Sequence, residues 1–139
     1  MKPVDNVLRD MPDIANEAQA EVARALEDLV AQGKILYPAL SNHAAWQVEK
    51  ALGISALRGW APVRVLQPMY NLVKRQAEVE ILPMAESEGL GVIPYSPLGG
   101  GLLTGKYGVG RKPESGRLIS NAMYQTRYGA DWIYQIAED

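Results

Sequence analysis

The sequence predicts an α/β protein built from about four parallel βα units. Three apolar or β-branched runs begin near Ile35, Val63 and Val92, at intervals of 28 and 29 residues, with helix-like segments between them. A weaker run at Val4–Leu8 leads into a further helical segment. Because a helical crossover returns the chain parallel to the preceding strand, nearly always with a right hand, these repeats predict a parallel sheet.

The first helix is predicted over Ile14–Ala31. Apolar residues recur there at helical spacing among acidic ones, which indicates an amphipathic helix. Asn16 and Gln19 have the spacing of a capping box at its start. Gly33 followed by Lys34 predicts its end, since glycine readily adopts the left-handed conformation that terminates helices.

The next unit begins with the apolar run Ile35–Leu40, which predicts a buried strand. Pro38 lies inside this run and cannot donate a ladder hydrogen bond, so it suits a strand edge or a bulge. We expect Asn42 to cap a second helix over Ala44–Leu52, and Gly53 to end it.

Two more strands follow. Val63–Gln67 is β-branched and is terminated by Pro68, and Val92–Tyr95 is a run of the same kind. A third helix is predicted between them over Gln76–Ser87. Pro83 marks a kink or a break in that helix, because proline lacks the backbone N–H that the helical hydrogen bond requires.

Residues 96–130 are predicted to form one long Gly-rich loop, since glycine recurs through their first half. Loops of this length in a compact domain are usually functional or mobile. A short amphipathic helix is predicted from about Ala130 onward. Residues 1–139 as a whole are predicted to be a single partial domain.

Composition excludes several classes of function. The formal charge is −2, from 14 basic and 16 acidic residues spread along the chain, so nucleic acid is not an expected partner. The absence of cysteine excludes disulfides and thiolate ligands, and a single histidine, His43, argues against a metal site. No run is apolar enough for a secretory signal or a membrane span, so we expect a soluble, cytoplasmic protein.

Polar and aromatic side chains follow the three predicted strands: Ser41 and Asn42, then Gln67, then Tyr95 and Ser96. Because ligands gather at the carboxyl ends of parallel strands, this set could bracket a flat polar heteroaromatic ligand. The alternative is structural, with Ser41 and Asn42 capping a helix and Tyr95 filling the core.

The stretch Pro97–Lys106 could bring backbone N–H groups and the Lys106 ammonium close to a phosphate. Gly100–Lys106 also matches G-x-x-x-x-G-K, the phosphate-binding loop of nucleotidases. Tyr107 stands where that loop needs a magnesium-binding hydroxyl, so this reading ranks last. A third alternative is a flexible connection with no ligand.

Three stretches resemble one family. Gly33–Asn42, Gln67–Leu72 and Gly91–Tyr107 are similar to the fifth, sixth and seventh strand regions of the aldo-keto reductases, particularly bacterial members similar to potassium-channel β subunits. The resemblance runs from about Ala18 to the C-terminus. It implies a partial (β/α)8 TIM-type barrel that covers roughly the fourth to seventh βα units.

The resemblance implies an NADPH site. Ser41, Asn42 and Gln67 would hydrogen-bond the nicotinamide carboxamide, and Tyr95 would stack on its ring. The path of the pyrophosphate would be lined by Ser96, Leu98, Gly101 and Lys106.

The resemblance also implies that chemistry is impaired. The family's catalytic Asp, Tyr and Lys lie in an N-terminal half that has no counterpart here, its eighth strand is missing, and Asp10 aligns with the catalytic histidine. No catalytic residue is therefore assigned. We expect an oxidoreductase fragment, weak or inactive on carbonyl substrates. The alternative is a non-catalytic assembly module that self-associates or complements another barrel fragment. Because an open barrel exposes sheet edges, we expect self-association into a homo-oligomer.

Overall fold

The computed structural model describes residues 14–138 and divides the chain into two compact units, one ending at Arg64 and one beginning at Val65. The predicted weak strand at Val4–Leu8 and the position of Asp10 lie outside the described residues. The expectation of a single domain stays a prediction.

Helix α1 spans Ile14–Ala31 in the first unit, as the apolar spacing predicts. Gly33 ends it in the left-handed conformation, with a φ of 67°. Its N–H donates to the Val30 carbonyl at 2.8 Å, and the Lys34 N–H donates to the Leu29 carbonyl at 2.9 Å. These bonds satisfy carbonyl groups that the helix end leaves unpaired. The predicted capping box is wrong, because Asn16 lies inside α1 and Gln19 Oε1 accepts no hydrogen bond from the described residues.

Strand β1 spans Ala39–Ser41, and helix α2 spans Ala45–Arg58. The strand begins only after Pro38, as expected of a residue that cannot donate to a ladder. Helix α2 is longer than predicted. Gly53 lies inside it, and Gly59 ends it with a φ of 66°.

The predicted cap of α2 is wrong. Asn42 lies before the helix start, and Ala44 is the N-cap residue. The Ala44 N–H donates to Gln47 Oε1 at 2.9 Å, so a glutamine three residues on satisfies the helix start. A long-range hydrogen bond in this unit joins the Ala61 N–H to Glu27 Oε2 at 2.6 Å and connects the segment after α2 to α1.

The second unit contains two parallel strands, β2 at Val65–Gln67 and β3 at Gly91–Val92. Val65 lies opposite Gly91, and Leu66 lies opposite Val92. The parallel arrangement is confirmed for this pair. Strand β2 begins two residues later than predicted. Strand β3 begins one residue earlier and ends before Pro94, which cannot donate to the ladder.

The predicted helix Gln76–Ser87 is two elements. A 3₁₀ turn covers Gln76–Glu78, and helix α3 covers Ile81–Ser87. The break comes before Pro83, which sits in the first turn of α3. A missing N–H costs no helical hydrogen bond there, so proline is tolerated.

The segment predicted as one long loop contains short helical elements. These are 3₁₀ turns within Gly99–Thr104, interrupted by non-helical backbone at Gly100 and Gly101, then α4 at Arg117–Ser120 and α5 at Ala122–Tyr128. Helix α6 follows at Asp131–Glu138. This segment is ordered into helices because its apolar residues pack into one buried cluster. Its members are Leu102, Tyr107, Leu118, Tyr128, Ile133 and Tyr134.

Candidate functional site

A cavity of about 560 Å³ lies in the second unit, against the turn that follows β3. It includes five of the eight residues predicted to bind a cofactor, together with two residues that the sequence did not indicate. The lining residues are Tyr95, Ser96, Pro97, Leu98, Gly100, Gly101, Lys106, Arg117 and Tyr124.

The Tyr95–Ser96 turn is held by the neighbouring strand region. Tyr95 pairs with Met69 in a parallel bridge, and the Tyr95 N–H donates to the Pro68 carbonyl at 2.9 Å. Ser96 has a φ of 55°, in the left-handed region that residues other than glycine rarely adopt. Unfavourable backbone of this kind concentrates at binding and catalytic sites, because the surrounding structure must hold it in place.

Two glycines shape the floor of the cavity. Gly100 has a φ of 71° and Gly101 a φ of 104°. A Cβ atom on Gly100 would collide with the Tyr124 ring, and one on Gly101 would lie 3.0 Å from Lys106 Cε. Both positions therefore favour glycine for conformation, and Gly100 also for space, which leaves bare backbone facing the cavity.

The charge around the cavity is positive. Lys106 and Arg117 line it, and none of the residues that line it is acidic. The Arg127 guanidinium carbon lies 5.9 Å from the centre of the Tyr95 ring. An anionic ligand with an aromatic part fits this combination of cations, ring and open backbone.

Tyr124 is a further polar group in the lining. Its hydroxyl lies 3.5 Å from Arg117 Nη1, and the Arg117 guanidinium carbon lies 5.6 Å from the centre of its ring. A hydrogen bond with Ser96, together with the positive charges of Arg117 and Arg127, lowers the pKa of Tyr124 against the opposing effect of burial. The phenol is thus more acidic than an ordinary tyrosine.

The other three predicted residues are placed elsewhere. Ser41 ends β1 in the first unit, and Asn42 follows it with a φ of 59°, a second unusual left-handed residue. His43 Nδ1 lies 3.1 Å from the Ser41 carbonyl oxygen. Gln67 is the last residue of β2, in the second unit. None of these lines the cavity described above.

Sequence reasoning missed Arg117 and Tyr124 because their segment was predicted as a loop. One available signal was Asn121, which precedes a short run of helix formers. Its side chain accepts from the Met123 N–H at 3.0 Å and from the Tyr124 N–H at 3.3 Å, and so caps α5.

A second, smaller cavity of about 360 Å³ is bordered by Tyr70, Leu72, Arg75 and Glu78. Its charges are already paired, since Arg75 donates to both Glu78 oxygens at 2.9 and 2.8 Å. The Tyr70 hydroxyl donates to Glu78 Oε1 at 2.6 Å. The cation-lined cavity is therefore the better site for an anion.

Within residues 14–138, no group of three or more histidine, cysteine, aspartate or glutamate side chains could hold a metal ion. Over the same part of the chain, no helix is both long and apolar enough to cross a membrane.

The model of the Aldo/keto reductase family matches residues 1–135, nearly the whole chain. The chain belongs to this family. Human aldo-keto reductase family 7 member A3 is 39% identical over 132 residues, covering 90% of this chain and 39% of the relative. Aflatoxin B1 aldehyde reductase member 2 of Rattus norvegicus is 39% identical, covering 81% of this chain and 31% of the relative.

Another relative is the uncharacterized oxidoreductase YrpG of Bacillus subtilis strain 168. It is 40% identical, and the match covers 81% of this chain and 32% of the relative. Among solved structures, the glycerol dehydrogenase of Gluconobacter oxydans matches with a TM-score of 0.63 and 30% identity, covering 86% of this chain and 35% of that protein. The chain therefore spans about a third of the length of these family members.

Proposed function

We propose that this chain is the nicotinamide-binding part of an aldo-keto reductase barrel, made of roughly the fourth to seventh βα units, and that the cation-lined cavity takes NADP(H). The observation that carries this proposal is the placement of the Tyr95 ring beside Lys106 and Arg117 around one cavity. An aromatic face and two cations match the two ends of such a cofactor, a flat ring and a chain of phosphates.

Different lining residues suit different parts of the cofactor. Tyr95 offers a face on which a ring can stack, which would fix the side presented to a substrate. Lys106 and the open backbone at Gly100 and Gly101 suit phosphate oxygens, since glycine lets an anion approach the N–H groups. When bound, NADPH supplies a hydride to a carbonyl carbon.

Ser41, Asn42 and Gln67 complete the proposal as hydrogen-bonding partners of the carboxamide. Amide and hydroxyl groups at strand ends have the donors and acceptors that a carboxamide requires. The left-handed backbone of Asn42, with a φ of 59°, supports a special role for its position.

The substrate class is a carbonyl or the corresponding alcohol. One relative is named as an aldehyde reductase and another as a glycerol dehydrogenase, and these activities act on the same pair of functional groups. The cavity lining holds no histidine. We expect little or no reduction by this chain alone, because loss of a general acid typically costs about two to four orders of magnitude in rate.

The experiment is a calorimetric and fluorescence titration of NADPH into the purified chain. We expect saturable binding that weakens at least roughly tenfold in Tyr95→Ala, because the stacked ring face is lost. Tyr95→Phe keeps the face and should bind nearly as the parent does. Tyr37→Ala, at an exposed tyrosine of the first unit, is the matched control. Absence of heat and quenching at millimolar cofactor would overturn the proposal.

A second candidate is the non-catalytic assembly module. Helix α2 supports it, because Trp46 and Leu57 are 56% and 88% exposed and lie about three helical turns apart on one face. Large apolar side chains aligned on an outer face are typical of a surface that another protein covers.

A further inference from the structure

Asn71 is a buried polar residue, 6% exposed, in the segment that follows β2. Both polar atoms of its side-chain amide have hydrogen-bond partners. Nδ2 donates to the Ser96 carbonyl at 2.8 Å and to the Tyr128 hydroxyl at 3.0 Å, and Oδ1 accepts from the Val73 N–H at 3.0 Å. This pairing indicates a fixed orientation of the amide, since rotating it would leave a buried donor or acceptor without its hydrogen bond.

The bond to Ser96 links two separate loops. The Ser96 carbonyl accepts from the Gly99 N–H at 2.9 Å within its own turn, and from Asn71 across 25 residues of sequence. Ser96 is in the left-handed region, which is unfavourable for a residue with a Cβ and so must be compensated by contacts. Asn71 provides such a contact from outside the turn.

Tyr128 supports the same arrangement. It is fully buried, and its hydroxyl donates to Met69 Sδ at 3.6 Å. Met69 in turn pairs with Tyr95 in the parallel bridge. Tyr95 is thus flanked by Met69, its bridge partner, and by Ser96, its chain neighbour. The Asn71 amide contacts Ser96 directly and reaches Met69 through the Tyr128 hydroxyl.

We propose that Asn71 is a positioning residue for ring binding: by holding the Ser96 carbonyl, it sets the orientation of the Tyr95 ring against which a nicotinamide would stack. This inference rests on the proposed function of the cavity. Asn71 does not line that cavity itself and acts only through its neighbours. Its loss should weaken binding of the ring and spare binding of the phosphates.

The test compares two ligands. NADPH carries both ring and phosphates, and 2′-phosphoadenosine diphosphoribose carries the phosphates without the nicotinamide. Asn71→Ser is the main variant, because a serine can still accept from the Val73 N–H but cannot reach Ser96. Asn71→Ser removes the Nδ2 hydrogen bonds to the Ser96 carbonyl and to the Tyr128 hydroxyl. We expect NADPH affinity to fall by about tenfold, and affinity for the ring-less ligand to change less than about twofold.

Repeating the comparison in a Ser96→Gly variant tests whether Asn71 acts through Ser96. Glycine adopts the left-handed region without strain, so a Ser96→Gly chain does not need the external hold. In that background Asn71→Ser should cost only about threefold or less in NADPH affinity. Tyr128→Phe removes one partner and keeps the Asn71–Ser96 bond, so it should retain selectivity for NADPH over the ring-less ligand.

Equal losses of affinity for both ligands in Asn71→Ser, or the same loss of NADPH affinity in the Ser96→Gly background, would overturn the inference. Either result would leave the proposed NADPH-binding function standing. Failure of the parent chain to bind NADPH would overturn the proposed function, and this inference with it. If Asn71→Ser does not fold, Asn71→Thr applies the same comparison, since its hydroxyl can also accept from the Val73 N–H and adds no charge.

Discussion

Single backbone conformations decide the shape of the cavity. Gly100 and Gly101 lie at positive φ, and the side chains that a Cβ would meet are themselves lining residues, Tyr124 and Lys106. Ser96 adopts the left-handed region without being glycine, with a φ of 55°. The cavity therefore combines two positions where glycine is favoured with one where a serine is held in place.

Gly100→Ala tests this reading. The new methyl group would collide with the Tyr124 ring at a backbone angle unfavourable for alanine, so we expect the free energy of unfolding to fall by about 1–3 kcal/mol. Thermal and urea unfolding measure the change. Gly53→Ala is the matched control: it lies inside α2 with open space around a Cβ, and it should stabilise the protein by about 0.5–1 kcal/mol.

At the scale of elements, local signals identified the helices better than their ends. Helix α2 runs through Gly53 and stops at Gly59, and only Gly59 has a positive φ. A glycine inside a helix costs about 1 kcal/mol, which the buried face of α2, with Val48 and Ala51, offsets. Packing therefore determines that α2 ends at Gly59 and not at Gly53, which the sequence alone could not show.

The 3₁₀ turn at Gln76–Glu78 carries a pH-dependent contact. Hydrogen bonds from Arg75, and then from Tyr70, lower the pKa of Glu78 below its usual value. A lowered pKa contributes stability that is fully present above the usual carboxylate pKa and is lost as the pH falls through the folded-state value.

Glu78→Gln should therefore reduce stability at neutral pH and flatten the loss of stability on acidification. Urea unfolding at neutral and acid pH measures both effects. Glu86→Gln, at an exposed position of α3, serves as the control and should follow the parent chain. An unchanged acid slope in Glu78→Gln would contradict the role given to this contact.

At the scale of the whole molecule, exposed apolar side chains occur in both units. They include Leu36 at 80%, Trp46 at 56%, Leu57 at 88% and Leu72 at 77% exposure. Single exposed apolar residues are ordinary, but aligned ones on a helix face are a common mark of an interface. The chain also spans only 31–39% of the length of the first two relatives it matches.

We therefore expect self-association of this chain at micromolar concentration, measured by light scattering coupled to size-exclusion chromatography. Replacing Trp46 and Leu57 together by glutamate should lower the mass toward that of the monomer, because charge opposes burial of the face. Lys112→Glu, an exposed charge reversal in the second unit, is the control. A monomeric mass for the parent chain would refute the expectation.

The sequence by itself determined the features that depend on neighbours along the chain. The helical period of α1, its end at Gly33 and the parallel pairing of β2 with β3 all follow from spacing and from short-range turn chemistry. The sequence also placed Tyr95, Ser96 and Lys106 in one continuous stretch, and all three line the same cavity.

Only the tertiary structure decided which distant residues complete the cavity. Arg117 and Tyr124 reach it because a segment predicted as a loop packs its apolar residues, Leu118 and Tyr128 among them, into a buried cluster. The amide of Asn71 meets Tyr128 across 57 residues of sequence. Such contacts depend on how side chains fill a shared core, and no periodicity or local propensity along the chain encodes that arrangement.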